Sequence, residues 1–374
     1  MKSRLWAVNR RVSSILALAW SVTASVTAIA ALPASAQAQL EPPGSGLINP
    51  RAIVFNPATG KVYAVDTAHG AVQIYSDSSM QMHRVPVGAE PVSIAVNSAS
   101  GNAYVANAGD GTVTVLDGRT DAVVATVPIG SHPYSIAADS ATGKVYVTHT
   151  YGDQLSILDG TTNTALDLKT GSSDLIAINS RTGTIYLLGY GGAVKVLDGT
   201  SQKLTELPIG KHGWGLTLND ATGAVYVARI EDADVAAINP DSSDPVTLPA
   251  GAIPCAIAVN SKANHLYVAN YGDNSVSRID AVTERKTATI PVGHHPKAIA
   301  FDAARNFVFV ANTSDGTVTV IDAANNSVVA TLPAGKNPYA IAVVPGSNSL
   351  YVANEVDDSP STVIDLAGIQ KRKP

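Results

Sequence analysis

The chain contains a single cysteine, Cys255, in 374 residues. A lone cysteine excludes an internal disulfide framework. The absence of any CxxCH run excludes covalently attached haem. Phosphate-binding glycine loops, GxSxG turns and HExxH pairs are also missing, so the common nucleotide, serine-hydrolase and zinc-protease signatures are not available. Clustered Lys and Arg occur only at Lys371-Arg372-Lys373, within a polar tail over 367–374. Beyond residue 36 no segment keeps a 3.6-residue apolar period, which argues against amphipathic helices.

The N-terminus reads as a targeting segment. Lys2, Arg4, Arg10 and Arg11 form a basic region, an apolar stretch runs from about Ile15 to Leu32, and Ala34-Ser35-Ala36 is a small-x-small cleavage pattern. Residues 1–36 are therefore expected to be a signal peptide, and the protein to be exported to the periplasm, the cell surface or the medium. No membrane span is expected after cleavage. The Arg10-Arg11 pair is compatible with twin-arginine export. Cleavage removes four of the 25 basic residues and none of the 30 acidic ones, leaving 21 against 30, a net charge of −9. That sign opposes phosphate backbones and anionic lipids as partners.

What the chain does contain is a repeat of about 41 residues, present eight times. Its mark is an aromatic at Tyr63, Tyr104, Tyr146, Tyr186, Tyr226, Tyr267, Phe309 and Tyr351. Ten residues earlier stands Ile or Leu, from Ile53 to Ile341, and three residues earlier stands Gly or Asn, from Gly60 to Asn348. One unit, residues 91–130, holds four short segments rich in Val, Ile, Thr and Tyr, bounded by turn residues. This pattern predicts a four-stranded antiparallel meander, strands a to d. A repeat of this size that cannot bury both faces alone predicts radial stacking into a β-propeller, an all-β fold spanning residues 37–366 as one domain. Eight blades are expected, with seven as the alternative. Only seven clear d strands are present, so Gln37–Glu41 is expected to supply the eighth beside Thr362–Asp365 and close the ring.

Turn chemistry accounts for several conspicuous residues. The Gly-or-Asn position suits a positive φ. Asp117, Asp159, Asp198, Asp280, Asp322 and Asp365 each open the turn between c and d, where a short acceptor forms an Asx turn. Gly109-Asp110-Gly111 and Asp315-Gly316 read as tight turns between b and c rather than calcium loops.

The phrases Tyr104-Val105-Ala106-Asn107, Tyr267-Val268-Ala269-Asn270 and Tyr351-Val352-Ala353-Asn354 resemble the YVTN family of β-propeller repeats. So do the flanking P-V-G-x-x-P-x-x-I-A and G-T-V-T-V-I-D phrases. The resemblance covers nearly all of residues 49–366. It implies an exported bacterial or archaeal surface or periplasmic propeller, some relatives being nucleic-acid binding and others distantly lactonase-like. The family motif is structural and carries no catalytic residue to this chain.

Candidate binding residues come from the face that holds the b–c and d–a connections, here called the top. His132, His212 and His295 share one slot just before strand a, which otherwise reads Asn49, Glu90, Ser172, Ile253 and Asn337. Imidazoles at a channel mouth suit a metal or acid–base chemistry, whereas an exposed turn suits His as it suits Asn. Two residues on, a variable position reads Arg51, Val92, Tyr134, Asp174, Trp214, Cys255, Lys297 and Tyr339. The slot three after the repeat aromatic, Asp or Asn in five repeats, becomes His149, Gly189 and Arg229 in repeats 3 to 5. The candidate ligand surface is therefore His132, Tyr134, His149, Asp174, His212, Trp214 and Arg229, with His295 and Lys297 at its margin. Cys255 is expected to be an inert thiol. No cofactor is expected beyond a metal at the mouth. The expected function is a monomeric, non-catalytic scaffold for a protein, glycan or small ligand. A lactonase-like hydrolase or lyase is the second reading, and nucleic-acid binding a third that the charge opposes.

Overall fold

The structure is a computed structural model that describes residues 53–369 apart from 77–80, 190, 211, 241, 243 and 356–360. These residues form 31 strands in eight antiparallel sheets, with one 3-10 turn, Thr67–His69, as the only helical element among them. Each sheet is a meander of consecutive strands. Blade 3, for example, is Pro133–Ala138, Lys144–His149, Gln154–Asp159 and Thr164–Lys169. Blade 4 is Leu175–Asn179, Thr184–Leu188, Ala193–Asp198 and Leu204–Pro208, and blade 5 is Gly213–Leu218, Val225–Arg229, Asp234–Ile238 and Val246–Pro249. Seven sheets have four strands. Blade 8 has three among the described residues: Pro338–Val343, Ser349–Asn354 and Ser361–Asp365. The expected closing strand, Gln37–Glu41, lies outside the described residues. The fold is an eight-bladed propeller.

The blades cohere through their faces. Period-2 alternation sends successive side chains of a strand to opposite sides. In strand b of blade 2, Ala103 and Val105 pack with Tyr63 and Val65 of blade 1, while Tyr104 and Ala106 pack with Val145 and Val147 of blade 3. Strand b is thus buried on both sides and strand d is not: Ala103–Asn107 is wholly buried, whereas most of Val123–Pro128 is exposed. Eight apolar clusters fill the eight seams between blades. The last joins Ala342, Val344 and Tyr351 of blade 8 to Val62, Ala64 and Tyr75 of blade 1, which closes the ring. A polar lock reinforces that seam. Tyr75 Oη lies 2.5 Å from Ser361 Oγ and donates to Gln73 Oε1 at 2.8 Å.

The turns behave as their chemistry requires. Oδ1 of Asp117, Asp159, Asp198, Asp280, Asp322 and Asp365 accepts the backbone N–H two residues on, at 2.8–2.9 Å in every case. The Gly-or-Asn position of the a–b turn has positive φ in seven repeats. In blade 8 that φ falls on Gly346 instead of Asn348, because Pro345 advances the turn. The b–c loop aspartates tie their loop to the preceding d–a connection. Asp315 Oδ2 accepts His294 N at 2.7 Å, with Asp110 and Asp273 taking the same role toward Ala89 and Ala252.

The Asn at the end of strand b is an internal clamp. Asn107, Asn270 and Asn312 are fully buried, and each Nδ2 donates to two hydroxyls on strand c. Replacing Asn312 by Ala leaves Thr317 and Thr319 without that donor. The expected loss is about 1–3 kcal/mol in urea unfolding. The exposed control Val124→Thr is expected to change stability by less than about 0.5 kcal/mol.

Candidate functional site

Backbone conformation explains two of the three histidines in the recurring slot, His132 and His295. Glu90, His132, Ile253, His295 and Asn337 all occupy left-handed φ values between 49° and 56°. Asn and His are enriched in that region, so the slot selects residues first for backbone geometry. Among the described residues no three His, Cys, Asp or Glu side chains gather into a metal-ligating group.

The variable position that follows is a β-bulge. In blades 2, 5, 6, 7 and 8 the ladder between strands a and b skips one residue: Val92, Trp214, Cys255, Lys297 and Tyr339. In blade 3 Tyr134 falls within a longer irregularity between Pro133 and Ile136. A bulge frees a residue from cross-strand pairing and re-aims its side chain. The variety at this position follows, because the ladder imposes no partner on it. Asn49 and Arg51 lie outside the described residues.

Four of the sequence candidates converge. Tyr134, Asp174, His212 and Trp214, with Leu175 and Leu188, line a cleft of about 40 Å³ at the top of blades 3, 4 and 5. Gly213 and Gly215 make Trp214's position possible. A Cβ at Gly215 would stand 2.7 Å from the Cys255 carbonyl oxygen, so only glycine allows the inner strands of blades 5 and 6 to approach this closely. Trp214 stays 39% exposed, unusual for so large an apolar ring. Asp174 is 9% exposed and accepts Thr150 Oγ1 at 3.3 Å, while its N–H continues the ladder to Leu188 O at 2.8 Å. Burial pushes the Lys195 amine's pKa down, and Glu206 and Asp174 oppose that shift; the amine is anchored on Ser172 O at 2.9 Å. Burial likewise lowers the His212 pKa against the pull of Glu231, which keeps the imidazole neutral near pH 7.

The other candidates are held elsewhere. His149 is fully buried and fills the clamp position of Asn107 and its equivalents. Its Nδ1 donates to Ser131 O at 2.8 Å and its Nε2 meets Ser156 Oγ at 2.9 Å. Arg229 fills the same position in blade 5, donating from Nε and Nη2 to Asp234 at 2.7 Å each and from Nη1 to Ile209 O. His295 stacks on Tyr271 at 4.5 Å and meets Ser314 Oγ at 2.5 Å, and Lys297 Nζ lies 3.9 Å from Glu355. His132 is exposed and makes an edge contact with Tyr151, centroids 6.2 Å apart. The Cys255 thiol is pushed up to about 12 by burial and stays protonated, an unreactive state.

Sequence reasoning missed Tyr151. It is 82% exposed and sits in the b–c loop of blade 3 at φ 65°. In six other blades the left-handed residue of this loop is the fourth, namely Gly70, Gly111, Gly192, Ala233, Asn274 or Gly316. Among the described loops it moves to the second position only in blade 3, onto a bulky aromatic. A bulky residue at positive φ is a conformational outlier, and such strain concentrates at binding surfaces.

The model of the Lactonase family, a 7-bladed β-propeller, matches residues 217–332. No curated protein sequence matches the chain. Solved structures similar to it include hydrazine synthase from Kuenenia stuttgartiensis, at TM-score 0.59 and 16% identity, covering 86% of this chain and 97% of that one. A computationally designed protein, Ika8, is similar at TM-score 0.70 and 15% identity over 85% of this chain and 97% of that one. The dihydro-heme d1 dehydrogenase NirN, in complex with DHE, is similar at TM-score 0.67 and 15% identity over 76% and 66%. At these identities the likeness is one of fold.

Two outcomes are expected from single substitutions here. Burial lowers the His149 pKa, outweighing the Ser131 carbonyl and Asp167, which favour the charged form. The unfolded chain therefore takes up a proton that the fold refuses. Stability is complete above about pH 6.5 and falls as pH drops from there through the folded value, by at most about 1.4 kcal/mol per pH unit for this residue. His149→Asn, which puts the residue of blades 2, 6, 7 and 8 in this slot with Ser156 as its one strand-c hydroxyl, should flatten stability between pH 7 and 5 in urea titrations. Tyr151→Gly should raise stability by up to about 1 kcal/mol, since it relieves the left-handed strain.

Proposed function

We propose that this protein is an exported binding propeller that captures a ligand through the top face of blades 3 to 5. The observation that carries the reading is the cleft where Tyr134, Asp174, His212 and Trp214 converge. Repetition of a scaffold does not require an exposed tryptophan on a bulge, nor a strained, exposed tyrosine in the adjoining loop. The N-terminal signal pattern and the resemblance to YVTN repeats support export. At about 40 Å³ the cleft takes a small group rather than a whole drug-sized molecule, so the remainder of any ligand lies across the open face.

A lactonase-like hydrolase is the second reading, favoured by the family match over residues 217–332. The two readings differ in what the inner-mouth residues can do. Three acidic side chains of the top face, Asp110, Asp273 and Asp315, serve as backbone ties. His212 is a neutral imidazole and Cys255 a protonated thiol. In the cleft itself Asp174, which accepts from Thr150, is the carboxylate from which a hydrolase would have to draw its general base, whereas a binding site needs none.

A panel of lactones and esters, run with added divalent metals and again with chelator, is expected to show no turnover. Trp214 is the only tryptophan beyond Trp6 and Trp20, so the difference in emission between wild type and Trp214→Phe isolates its signal. Ligand screening by that difference should return binders. Trp214→Ala should weaken each by about 1–3 kcal/mol with the melting transition retained. Chelator-sensitive turnover lost on substitution at the mouth would instead establish the hydrolase.

A further inference from the structure

We propose that the cleft between blades 3, 4 and 5 is a cage for an organic ammonium group, with Asp174 as its counter-charge and Tyr134 and Trp214 as its aromatic walls. This rests on the reading of that face as the binding surface and names the chemistry that it selects.

The lining sorts ligand classes by charge. Asp174 is 9% exposed, so a carboxylate stands at the cleft largely withdrawn from water. An anionic ligand group would meet that carboxylate in a low-dielectric setting, where like charges repel strongly. A cationic group meets attraction instead, and gains further from the faces of tryptophan and tyrosine. His212, the remaining titratable wall, is neutral near pH 7 and does not oppose a cation. The whole chain carries a net charge of −5, which draws cations toward the surface.

Size and apolar character narrow the class further. The cleft is small, at about 40 Å³, and suits a compact head group such as an ammonium or methylated ammonium. Leu175 and Leu188 offer apolar contacts to N-methyl groups. One cation near Asp174 is Lys195, whose amine is anchored on Ser172 O at 2.9 Å. It offsets part of the carboxylate's charge, so it sets the affinity rather than occupying the cage. Beyond the cleft, the exposed Tyr151 and His132 pair supplies aromatic surface on the same face for the rest of the molecule.

Choline is a suitable probe, with 3,3-dimethylbutan-1-ol as its neutral carbon isostere and glucose as a neutral sugar. Binding to the full chain is measured by calorimetry and by the Trp214 emission difference. Choline is expected to bind about tenfold or more tighter than the isostere, the size of a partly desolvated cation–π and charge contribution. Asp174→Asn should cost choline about tenfold and leave the isostere unchanged. Lys195→Met should tighten choline several-fold, and this opposite sign keeps the test informative should Asp174→Asn fail to fold. Equal affinity for choline and its isostere would overturn the cage. So would choline binding that is indifferent to Asp174→Asn and Trp214→Phe. A Trp214 response to glucose or another neutral ligand, with none to choline, would overturn the cage while leaving the binding surface standing. Absence of a Trp214 response to every ligand screened would remove both.

Discussion

A blade of this protein has two apolar faces and no means of burying either one. Everything else in the fold answers that constraint. Tyr63, Tyr104, Tyr146, Tyr267 and Tyr351 are almost wholly withdrawn from water because each is covered by a neighbouring sheet. Fully burying one large apolar side chain is worth about 1.5–3 kcal/mol, and each seam holds several. Removing one blade would expose two seams at once, so the stability of the units belongs to the ring and not to any repeat. The final seam, between blades 8 and 1, carries an additional polar lock through Tyr75, Gln73 and Ser361. It joins residues almost 290 positions apart in the chain. Buried hydrogen bonds are directional where apolar packing is not, so this lock fixes the register of closure.

The same economy governs the top face. Two conformational devices recur there, a left-handed residue just before strand a and a bulge just inside it. The first explains why His132 and His295 stand in one slot without a shared ligand: the backbone accepts His, Asn, Glu or Ile there at nearly the same φ. The second explains why the next residue is so diverse. What distinguishes blades 3 to 5 is what these devices carry, and that blade 3 shifts its loop's left-handed residue onto Tyr151.

The architecture was largely legible in the sequence. Aromatic spacing counted the blades, and Asp117 and its equivalents announced turns that the structure closes with hydrogen bonds from the expected N–H groups. The site was legible in part. Tyr134, Asp174 and Trp214 stood out because they vary at one position of the repeat, and His212 because it shares the slot two residues earlier with His132 and His295; a position shared by all repeats maps to one ring around the axis. His149 and Arg229 broke the pattern too, but at the end of strand b, where the side chain is taken up by internal partners, Ser156 and Ser131 for His149 and Asp234 and Ile209 for Arg229. Residue type alone cannot tell an inward substitution from an outward one when the slot is already polar. Tyr151 escaped notice because its meaning lies in a φ angle, and loop residues carry no periodicity that would flag it.

The bulge has a consequence for how such a molecule diversifies. A residue excluded from the ladder has no cross-strand partner to match, so where it is exposed, as Trp214 is, exchanging it trades one surface property for another, while Val92 and Tyr339 are buried in the same position. Valine, tyrosine, tryptophan, cysteine, lysine and a second tyrosine already occupy it in six blades. The mouth is therefore a short word written in a free alphabet around a fixed frame. Duplication supplies the letters, drift spells new combinations, and a ring that changes its vocabulary keeps its shape.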